Sequence, residues 1–519
     1  MDGIISIETN LTPITDQQGG FNMKKYRGLT AFLVAFTLCV SLSGCGSTET
    51  TTSDTSSNTE ATTESTQEES LNDSDRPGDP PDGGKPDGER PDAPPDGNGG
   101  GGNPPGSGFG GGSSADIDYT AAVEISSADT QSGKSYKSST ADESALLIAT
   151  SDAVTIDSPT VSKTGDSDGG DNCNFYGLNA AVLVKDGSNT TITGGTITSD
   201  ADGANGVFCY GGNGGQNGAS GDGTTLTIRD TVIKTTGNGS GGIMTTGGGV
   251  TYAYDLDVET SGQSSAAIRT DRGGGTVYVD GGTYTSNGLG SPAIYSTAEI
   301  HVENAELKSN LSEGVCIEGI NSIELTNCNM TANNTKCNGN ATFYDTIMIY
   351  QSMSGDADSG TSSFTMNGGT LTSENGHVFH VTNTNAIINL NGVKIISNDS
   401  DNILLSVCAD GWNGDSNIAT LNADSQELSG IIKVGDDSQL TLNLTNGSTF
   451  KGSIDGAITN AKGTTVSTEI GTVNVKLDST STWTLTADTY ITSFNGDASN
   501  IVSNGYTLYV NGTALTGTK

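Results

Sequence analysis

The chain has 519 residues, of which 74 are glycine and 32% are hydrophobic; this composition disfavours a helical bundle and is typical of many short strands joined by turns. Its 61 acidic residues against 22 basic residues give a formal net charge of -39. A surface of this charge repels nucleic acid and anionic lipid and attracts cations, which excludes nucleic acid as a partner and favours solubility outside the cell.

The N-terminal part of the chain has the features of a secretory signal peptide. Residues 23–45 run MKKYRGLTAFLVAFTLCVSLSGC, with a basic start followed by an apolar core at 31–42 that is short for a membrane span. The ending Leu-Ser-Gly-Cys resembles the bacterial lipoprotein box. The resemblance implies cleavage before Cys45 and lipid on its thiol, while an ordinary signal peptide with a chance cysteine is the alternative. Residues 1–22 carry no signal, and we interpret them as a start assigned upstream of the true one.

A tether follows the signal. Residues 46–70 are almost all Ser, Thr, Glu and Asn, and residues 71–113 are rich in Pro, Gly and Asp. Neither composition can bury a core, so we predict that 46–113 is disordered. As a flexible coil, it would span about 45 Å and would hold a lipid-anchored domain away from the membrane.

Most of the rest of the chain consists of copies of one sequence repeat, called here the phrase. SAAIRTDRGGGTVYVDGGTYTSN from Ser265 and SPAIYSTAEIHVENAELKSN from Ser291 share the same order of small, apolar and turn residues. Copies recur from about residue 144 to 405 at roughly 21 to 36 residues, a period that indicates a solenoid. Each copy holds two or three short alternating runs, which fits one coil of a parallel β-helix better than a propeller blade or a leucine-rich repeat.

A turn residue marks each copy. It is Gly, Asn or Asp in eight of the copies, the residue types that best tolerate a left-handed backbone; an earlier copy has Ser158 there. Apolar residues five apart flank the turn, such as Val302 and Leu307, so both should point inward. The eight turn residues are Gly194, Asp230, Asp255, Gly281, Asn304, Asn327, Gly368 and Gly392.

This pattern resembles the right-handed parallel β-helix of the pectin-lyase-like superfamily, and more narrowly the adhesin-like β-helix lipoproteins of anaerobic Gram-positive bacteria. The resemblance is one of architecture and covers about residues 140 to 460. We predict an all-β chain with an N-terminal cap at 114–143, a parallel β-helix at 144–460, and a C-terminal coil and cap at 461–519. One coil cannot bury its own core, which is why the phrase must be stacked.

Alternation along the first strand of each copy predicts two outward columns of side chains. The first column is Leu183, Phe208, Met244, Arg269, Tyr295, Cys316, Met348 and His380. The second column is Lys185, Tyr210, Thr246, Asp271, Thr297, Glu318, Tyr350 and Thr382.

These columns supply the candidate ligand site, since the resemblance implies that sugar lies on this sheet. Aromatic rings stack on sugar C–H surfaces, and Arg, Asp and Glu bind hydroxyls or carboxylates. The alternative is that the insertions near 211–223, 333–345 and 352–362 cover this face and make it a secondary core. The candidate ligand-binding residues are Phe208, Tyr210, Arg269, Asp271, Tyr295, Glu318 and Tyr350.

The second hypothesis is that this face catalyses a reaction. Asp271 and Glu318 lie two coils apart, about 9 to 10 Å between Cα atoms, which is near the carboxylate spacing of inverting glycosidases. Arg269 could act as the base that a pectate lyase uses. The Asn-Thr-Asp, Gly-His-Gly and Arg-Ile-Lys sequences of polygalacturonases are missing, however. We therefore predict no catalytic residue and keep these three for the enzyme alternative.

The sequence supports a metal site less strongly than it supports the ligand site on the outward columns. Asp166, Asp168 and Asp171 on one glycine-rich loop could hold Ca²⁺, and solvated turn aspartates are the alternative. His377 and His380 are three apart on a strand, so we expect them to face opposite ways and to form no ligand pair. The six cysteines after Cys45 form no CxxC pair, which argues against zinc, and their pairing cannot be read from the sequence.

The functional reading is a lipid-anchored, extracytoplasmic β-helix at the cell surface that binds glycan or another surface ligand without turning it over. The alternatives are a polysaccharide lyase or hydrolase acting on acidic polysaccharide, and a structural spacer that binds nothing soluble. No cofactor is expected, apart from the Ca²⁺ considered above.

Overall fold

The computed structural model describes residues 117–213 and 220–519. The segments predicted as an upstream start (1–22), a signal peptide ending at Cys45 and a tether (46–113) lie outside these residues. No helix within the described ranges combines the length and the apolar character needed to cross a bilayer.

The described residues form a right-handed parallel β-helix, as the sequence predicts. Three long, all-parallel sheets form the solenoid, and up to Lys394–Ser397 one coil contributes one strand to each sheet in turn. The first sheet has fifteen strands: Glu124–Ile125, Leu146–Ala149, Val182–Lys185, Val207–Tyr210, Ile243–Thr246, Ile268–Thr270, Ile294–Ser296, Val315–Glu318, Asp345–Tyr350, His377–Thr382, Ile403–Val407, Glu427–Val434, Thr449–Asp455, Thr482–Leu485 and Ile501–Val502.

The second and third sheets follow the first around each coil. The second sheet has fourteen strands: Asp129–Ser132, Ala153–Asp157, Asn189–Thr193, Thr225–Arg229, Gly249–Tyr254, Gly275–Asp280, Glu299–Glu303, Ser322–Thr326, Thr361–Asn367, Thr384–Asn391, Asn417–Asp424, Ser438–Thr445, Thr472–Leu477 and Ser493–Asn495. The third has ten strands: Ser135–Ser138, Thr160–Lys163, Thr196–Ser199, Val232–Thr235, Asp257–Thr260, Thr283–Ser286, Glu306–Ser309, Asn329–Asn333, Thr370–Asn375 and Lys394–Ser397.

A few short elements lie outside the three sheets. They are the helix Asp171–Tyr176, the 3-10 turn Ala498–Asn500, the parallel pair Thr120–Ala121 and Glu143–Ser144, the antiparallel pair Ile458–Thr459 and Thr465–Ser467, and a three-stranded sheet of Thr489–Ile491, Leu508–Val510 and Thr513–Ala514. No disulfide joins any of the six cysteines in the described ranges.

The turn between the second and third sheets is the one that the sequence predicts. All eight of the Gly, Asn and Asp residues at this turn have positive φ, and Ser158, the exception in residue type, has φ 50° as well. The left-handed pivot sends its flanking residues inward: Val302 is 0% exposed and Leu307 is 2% exposed. The turn therefore fixes which residues of each coil face the core.

The core fills the space enclosed by the three sheets. Alternation places every second residue inside, so Val277 and Val279 are buried while Tyr278 and Asp280 face solvent. Each inward residue packs on its equivalents in the coils above and below, because the strands pair in register. One continuous apolar cluster runs from Ile125 to Leu508.

The solenoid changes shape in its last coils. The third sheet ends at Lys394–Ser397, and the first-sheet strands beyond it, Glu427–Val434 and Thr449–Asp455, are eight and seven residues long. Gly430, with φ 125°, lies within the first of these strands and pairs with Gly452 in the second. A Cβ added at Gly452 would lie 2.0 Å from the Gly430 carbonyl oxygen, so the backbones meet too closely for any side chain there.

The ends of the described solenoid continue its sheets. Glu124–Ile125, Asp129–Ser132 and Ser135–Ser138 pair in parallel with the next coil, so part of the segment predicted as a cap at 114–143 is itself a coil. In the predicted C-terminal segment, 461–519, the strands from Thr472 onward extend the first two sheets, and the small three-stranded sheet follows them.

Candidate functional site

The outward columns predicted on the first sheet have the predicted strand register. Arg269 pairs with Tyr295 on the next strand and Tyr295 pairs with Cys316, while Glu318 pairs with Tyr350. The first column therefore runs from Leu183 to His380 without a break. The sequence placed these side chains on one face of one sheet, and the structure agrees.

This face is covered. All seven candidate ligand-binding residues are buried, with exposures between 0% for Glu318 and 8% for Tyr295. Phe208 and Tyr210 belong to an apolar cluster outside the solenoid core that also contains Met244. Tyr295 and Tyr350 belong to a second such cluster, on which Trp412 packs. The arrangement is that of a secondary core beneath the insertions, and ligand binding by these residues stays a prediction.

Glu318 is the centre of a buried hydrogen-bond network. The hydroxyls of Tyr295 and Tyr350 donate to Glu318 Oε2 at 2.6 and 3.0 Å. The hydroxyls of Ser352 and Ser354 donate to Oε1, the latter at 3.3 Å. Burial raises the pKa of the Glu318 carboxyl, while these hydrogen bonds oppose the rise. Both carboxylate oxygens are thus occupied by the protein's own side chains.

Asp271 and Arg269 form a buried ion pair beside this network. Arg269 Nη2 donates to Asp271 Oδ2 at 2.6 Å, and the guanidinium lies 5.4 Å from the centre of the Tyr295 ring. Burial raises the pKa of the Asp271 carboxyl, and the charge of Arg269 opposes this effect. The structure therefore buries the three residues that the enzyme alternative names, with Arg269 paired to Asp271 and Glu318 bound by hydroxyls of the protein.

The segment 351–360 closes this network from outside, and it overlaps the insertion near 352–362 that the sequence marks as a possible cover. Arg272 Nη2 donates to Asp356 Oδ1 at 2.5 Å and lies 4.3 Å from the Phe175 ring centre. Ser354 Oγ also lies 2.9 Å from Asp356 Oδ2, so its single hydroxyl proton is shared between Asp356 and Glu318. Sequence reasoning missed Arg272 and Asp356, because nothing in the repeat places one beside the other across 84 positions.

We expect Arg272→Ala to loosen segment 351–360. The substitution removes the ion pair and leaves the Asp356 carboxylate close to two other buried acids, which should speed hydrogen exchange of the 352–358 amides about tenfold or more. Hydrogen-exchange mass spectrometry measures this directly. The matched control is Arg229→Ala, which removes an arginine packed 3.8 Å over Tyr254 on the second sheet. Equal protection of 352–358 in both variants would show that the ion pair does not hold the segment.

The two histidines contradict the expectation that they face opposite ways. His377 Nδ1 and His380 Nδ1 lie 2.7 and 2.8 Å from the same oxygen, Ser406 Oγ. Alternation breaks between them, because Val378 and Phe379 are both in the core. Asp410 Oδ2 lies 3.5 Å from His380 Nε2. Burial lowers the pKa of His377 to about 3, so this imidazole is neutral.

Three buried acids near these histidines also escaped sequence reasoning. Asp345 is 1% exposed, and no described residue donates a hydrogen bond to its Oδ1. Burial raises the pKa of Asp345 well above its usual range, and the nearby charges of Glu313 and Asp410 raise it further. Asp345 follows a long insertion, where the alternation that would have marked it is lost.

The three aspartates proposed for Ca²⁺ do not form a ligand cluster. Asp166, Asp168 and Asp171 are all exposed, and Asp166 Oδ1 accepts the backbone N–H of Asp202 at 2.9 Å. Asp171 begins the helix Asp171–Tyr176. Within residues 117–213 and 220–519, no three His, Cys, Asp or Glu side chains are placed to hold a metal ion. Ca²⁺ binding stays a prediction.

The described surface has an open groove at another place. Its volume is about 520 Å³, and it crosses the turns that join the first sheet to the second in four successive coils. Gly248 and Gly274 are among the glycines that line it, and Glu299, Ile320 and Asp358 contribute side chains.

The strand face next to the groove carries stacked rings. Tyr252, Tyr278 and His301 occupy neighbouring strands in register, with ring centres 5.2 and 5.1 Å apart and planes within 11° of parallel. His301 also contacts Glu299, at 2.8 Å, and Glu324, at 3.4 Å. Tyr278 is 40% exposed.

Comparison of the chain with protein-family models, with curated proteins and with solved structures finds no match.

Proposed function

We propose that this chain is a lipid-anchored protein of the cell surface that binds glycan or another surface ligand without turning it over, in the manner of adhesins built on the pectin-lyase-like β-helix. The observation that carries the proposal is the state of Glu318, whose two carboxylate oxygens are both taken by hydroxyls of the protein itself. A carboxylate in this state holds structure together.

The same geometry weighs against the lyase and hydrolase alternatives at these residues. An inverting hydrolase needs room for a water molecule between its two carboxyl groups, which are about 6.5–9.5 Å apart. Here Asp271 is bound to Arg269, and Glu318 is bound to two tyrosines and two serines, all beneath 351–360. A lyase base must accept a proton from its substrate, whereas the Arg269 guanidinium is engaged in an ion pair.

Regular coils supply what a surface binding protein requires. Rigid, stacked strands present outward side chains at a fixed spacing of about 4.8 Å over many coils. The lipobox at Cys45 and the tether 46–113 belong to the same proposal, since together they would hold the solenoid outside the membrane and away from it. The spacer alternative needs only the solenoid and predicts no ligand at all.

A polysaccharide panel tests the proposal. The full-length chain is incubated with immobilised neutral, acidic and amino-bearing polysaccharides, and both retention and newly formed reducing or unsaturated ends are recorded. We expect retention on at least one polysaccharide without new ends. New ends that disappear in Glu318→Gln would replace the proposal with the enzyme alternative. Absence of both signals across the panel would favour the spacer.

A further inference from the structure

The groove that crosses the turns between the first and second sheets lies beside the second-sheet strand that carries the exposed ring of Tyr278. Its volume of about 520 Å³ falls within the range of about 300–1,000 Å³ that is typical of ligand clefts. Its lining includes Asp358, from the segment 351–360 that covers the network around Glu318, but none of the side chains that form that network. Its floor spans four coils, or about 14 Å at the spacing of paired strands.

The shape of the groove follows from the glycines in the turns. At Gly221, an added Cβ would lie 2.2 Å from the carbonyl oxygen of Gly248, so larger residues are excluded from this part of the wall. Gly275, with φ 148°, adopts a backbone that side chains rarely allow. The result is a wall of bare backbone, where a ligand can approach peptide N–H and C=O groups closely.

The side chains along the groove combine one apolar contact with polar acceptors. Ile320 is 51% exposed, which is unusual for a large aliphatic residue. The Glu299 side chain is 54% exposed, and Asp358 is exposed too. Thr276 lines the groove, and Tyr278, two residues along the same face of the strand, extends the wall. A mixture of C–H contacts and hydroxyl-binding groups suits a sugar chain.

The charge of the groove selects among sugar chains. Glu299 and Asp358 are acidic, and no Lys or Arg is among the described residues that line it. The chain around it carries a net charge of -39. A uronate or sulfated sugar would meet like charge here, whereas hydroxyls and amino groups can donate hydrogen bonds to the carboxylates.

We infer that this groove binds an oligosaccharide of neutral or positive charge, with Glu299 accepting hydrogen bonds from the sugar and Ile320 packing against its C–H face. The inference rests on the proposed glycan-binding function and moves its site from the covered first sheet to the corner of the second. It also reverses the ligand charge that the enzyme alternative expects, since that alternative acts on acidic polysaccharide.

Calorimetric titration of the full-length chain with three probes tests this inference. The probes are cellohexaose, the fully deacetylated hexamer of glucosamine, and hexagalacturonate. We expect the first or the second to bind at least tenfold more tightly than hexagalacturonate. Hexagalacturonate as the tightest ligand would overturn the inference.

Two variants locate the site. Glu299→Gln and Ile320→Ser should each weaken binding of the preferred probe about tenfold, since the first removes a charged hydrogen-bond acceptor and the second an apolar contact. The control is Tyr506→Ser, which changes a side chain that is 42% exposed near the C-terminus, away from the groove residues in sequence and sheet. Circular dichroism melts check that all three variants keep the fold.

The two possible failures are distinguishable. If the wild-type chain binds a probe and neither Glu299→Gln nor Ile320→Ser changes its affinity, the groove is not the site while the proposed function stands. If the wild-type chain binds none of the probes and no polysaccharide of the wider panel, the proposed function fails, and the groove assignment fails with it.

Discussion

Replacing Trp483 with alanine is expected to destabilise the last coils by about 3–5 kcal/mol. The indole is fully buried, stacks on Phe450 with ring centres 5.5 Å apart, and donates from Nε1 to the Gly452 carbonyl oxygen at 3.0 Å. The substitution opens a cavity and leaves a buried carbonyl group without its donor. Hydrogen exchange of the amides in 449–455 and 482–485 should report the loss, because coils of a solenoid can open locally.

Tyr490→Ala is the matched control for Trp483→Ala. Tyr490 also stacks on an aromatic neighbour, Tyr509, with ring centres 4.6 Å apart, but it is 50% exposed. Removing it should cost about 1 kcal/mol or less, since about half of its surface is already in water. A similar loss of protection in both variants would mean that Trp483 does not act through burial.

Asp345→Asn is expected to stabilise the protein at pH 8, by about 2–4 kcal/mol, and to have little effect near pH 4. Burial raises the folded-state pKa of this carboxyl far above that of the unfolded chain. The folded state then binds a proton that the unfolded state has released, so stability falls as pH rises above about 4. The asparagine amide carries no charge, so the variant does not lose stability in this way as pH rises. Melting temperatures of both proteins at pH 4.5, 6 and 8 measure the difference in stability.

The control is Asp478, an aspartate whose pKa is lowered in the folded state and not raised. Asp478 is half-buried, and hydrogen bonds, first of all from the Asn446 backbone N–H, lower the pKa of its carboxyl. Its contribution to stability is present above the unfolded-state pKa and is lost as pH falls, so Asp478→Asn should destabilise the protein at pH 8. If Asp345→Asn shifted the melt at pH 8 in the same direction as Asp478→Asn, the Asp345 carboxyl would not be the uncompensated group inferred here.

Much of the fold could be predicted from the sequence because the same local pattern of turn and apolar residues recurs from coil to coil. Residues that tolerate positive φ, at a constant distance from flanking apolar residues, predict the turn between the second and third sheets, and Asn304 and Gly281 behave as expected. Strand alternation then predicted the outward columns with the correct register. These features depend only on a residue and its near neighbours in the chain, which a sequence displays directly.

Whether the outward face of the first sheet is exposed or covered could not be predicted in the same way. Whether Tyr295 and Glu318 meet solvent depends on where 351–360 folds back, and this depends on contacts such as Arg272 with Asp356 that link distant positions. The end of the third sheet at Lys394–Ser397 was also not predicted, because the alternation of buried residues continues through the later strand Glu427–Val434. Local patterns define a coil, whereas long-range contacts define what covers it.

The lengths of the outermost strands bear on how copies of this protein meet. The first sheet begins with the two-residue strand Glu124–Ile125 and ends with the two-residue strand Ile501–Val502, although its inner strands reach eight residues at Glu427–Val434. Short edges offer few unpaired N–H and C=O groups to a neighbouring molecule. Regular coils would otherwise be a template for end-to-end fibres, and this tapering disfavours such growth while leaving the sides of the solenoid available for recognition.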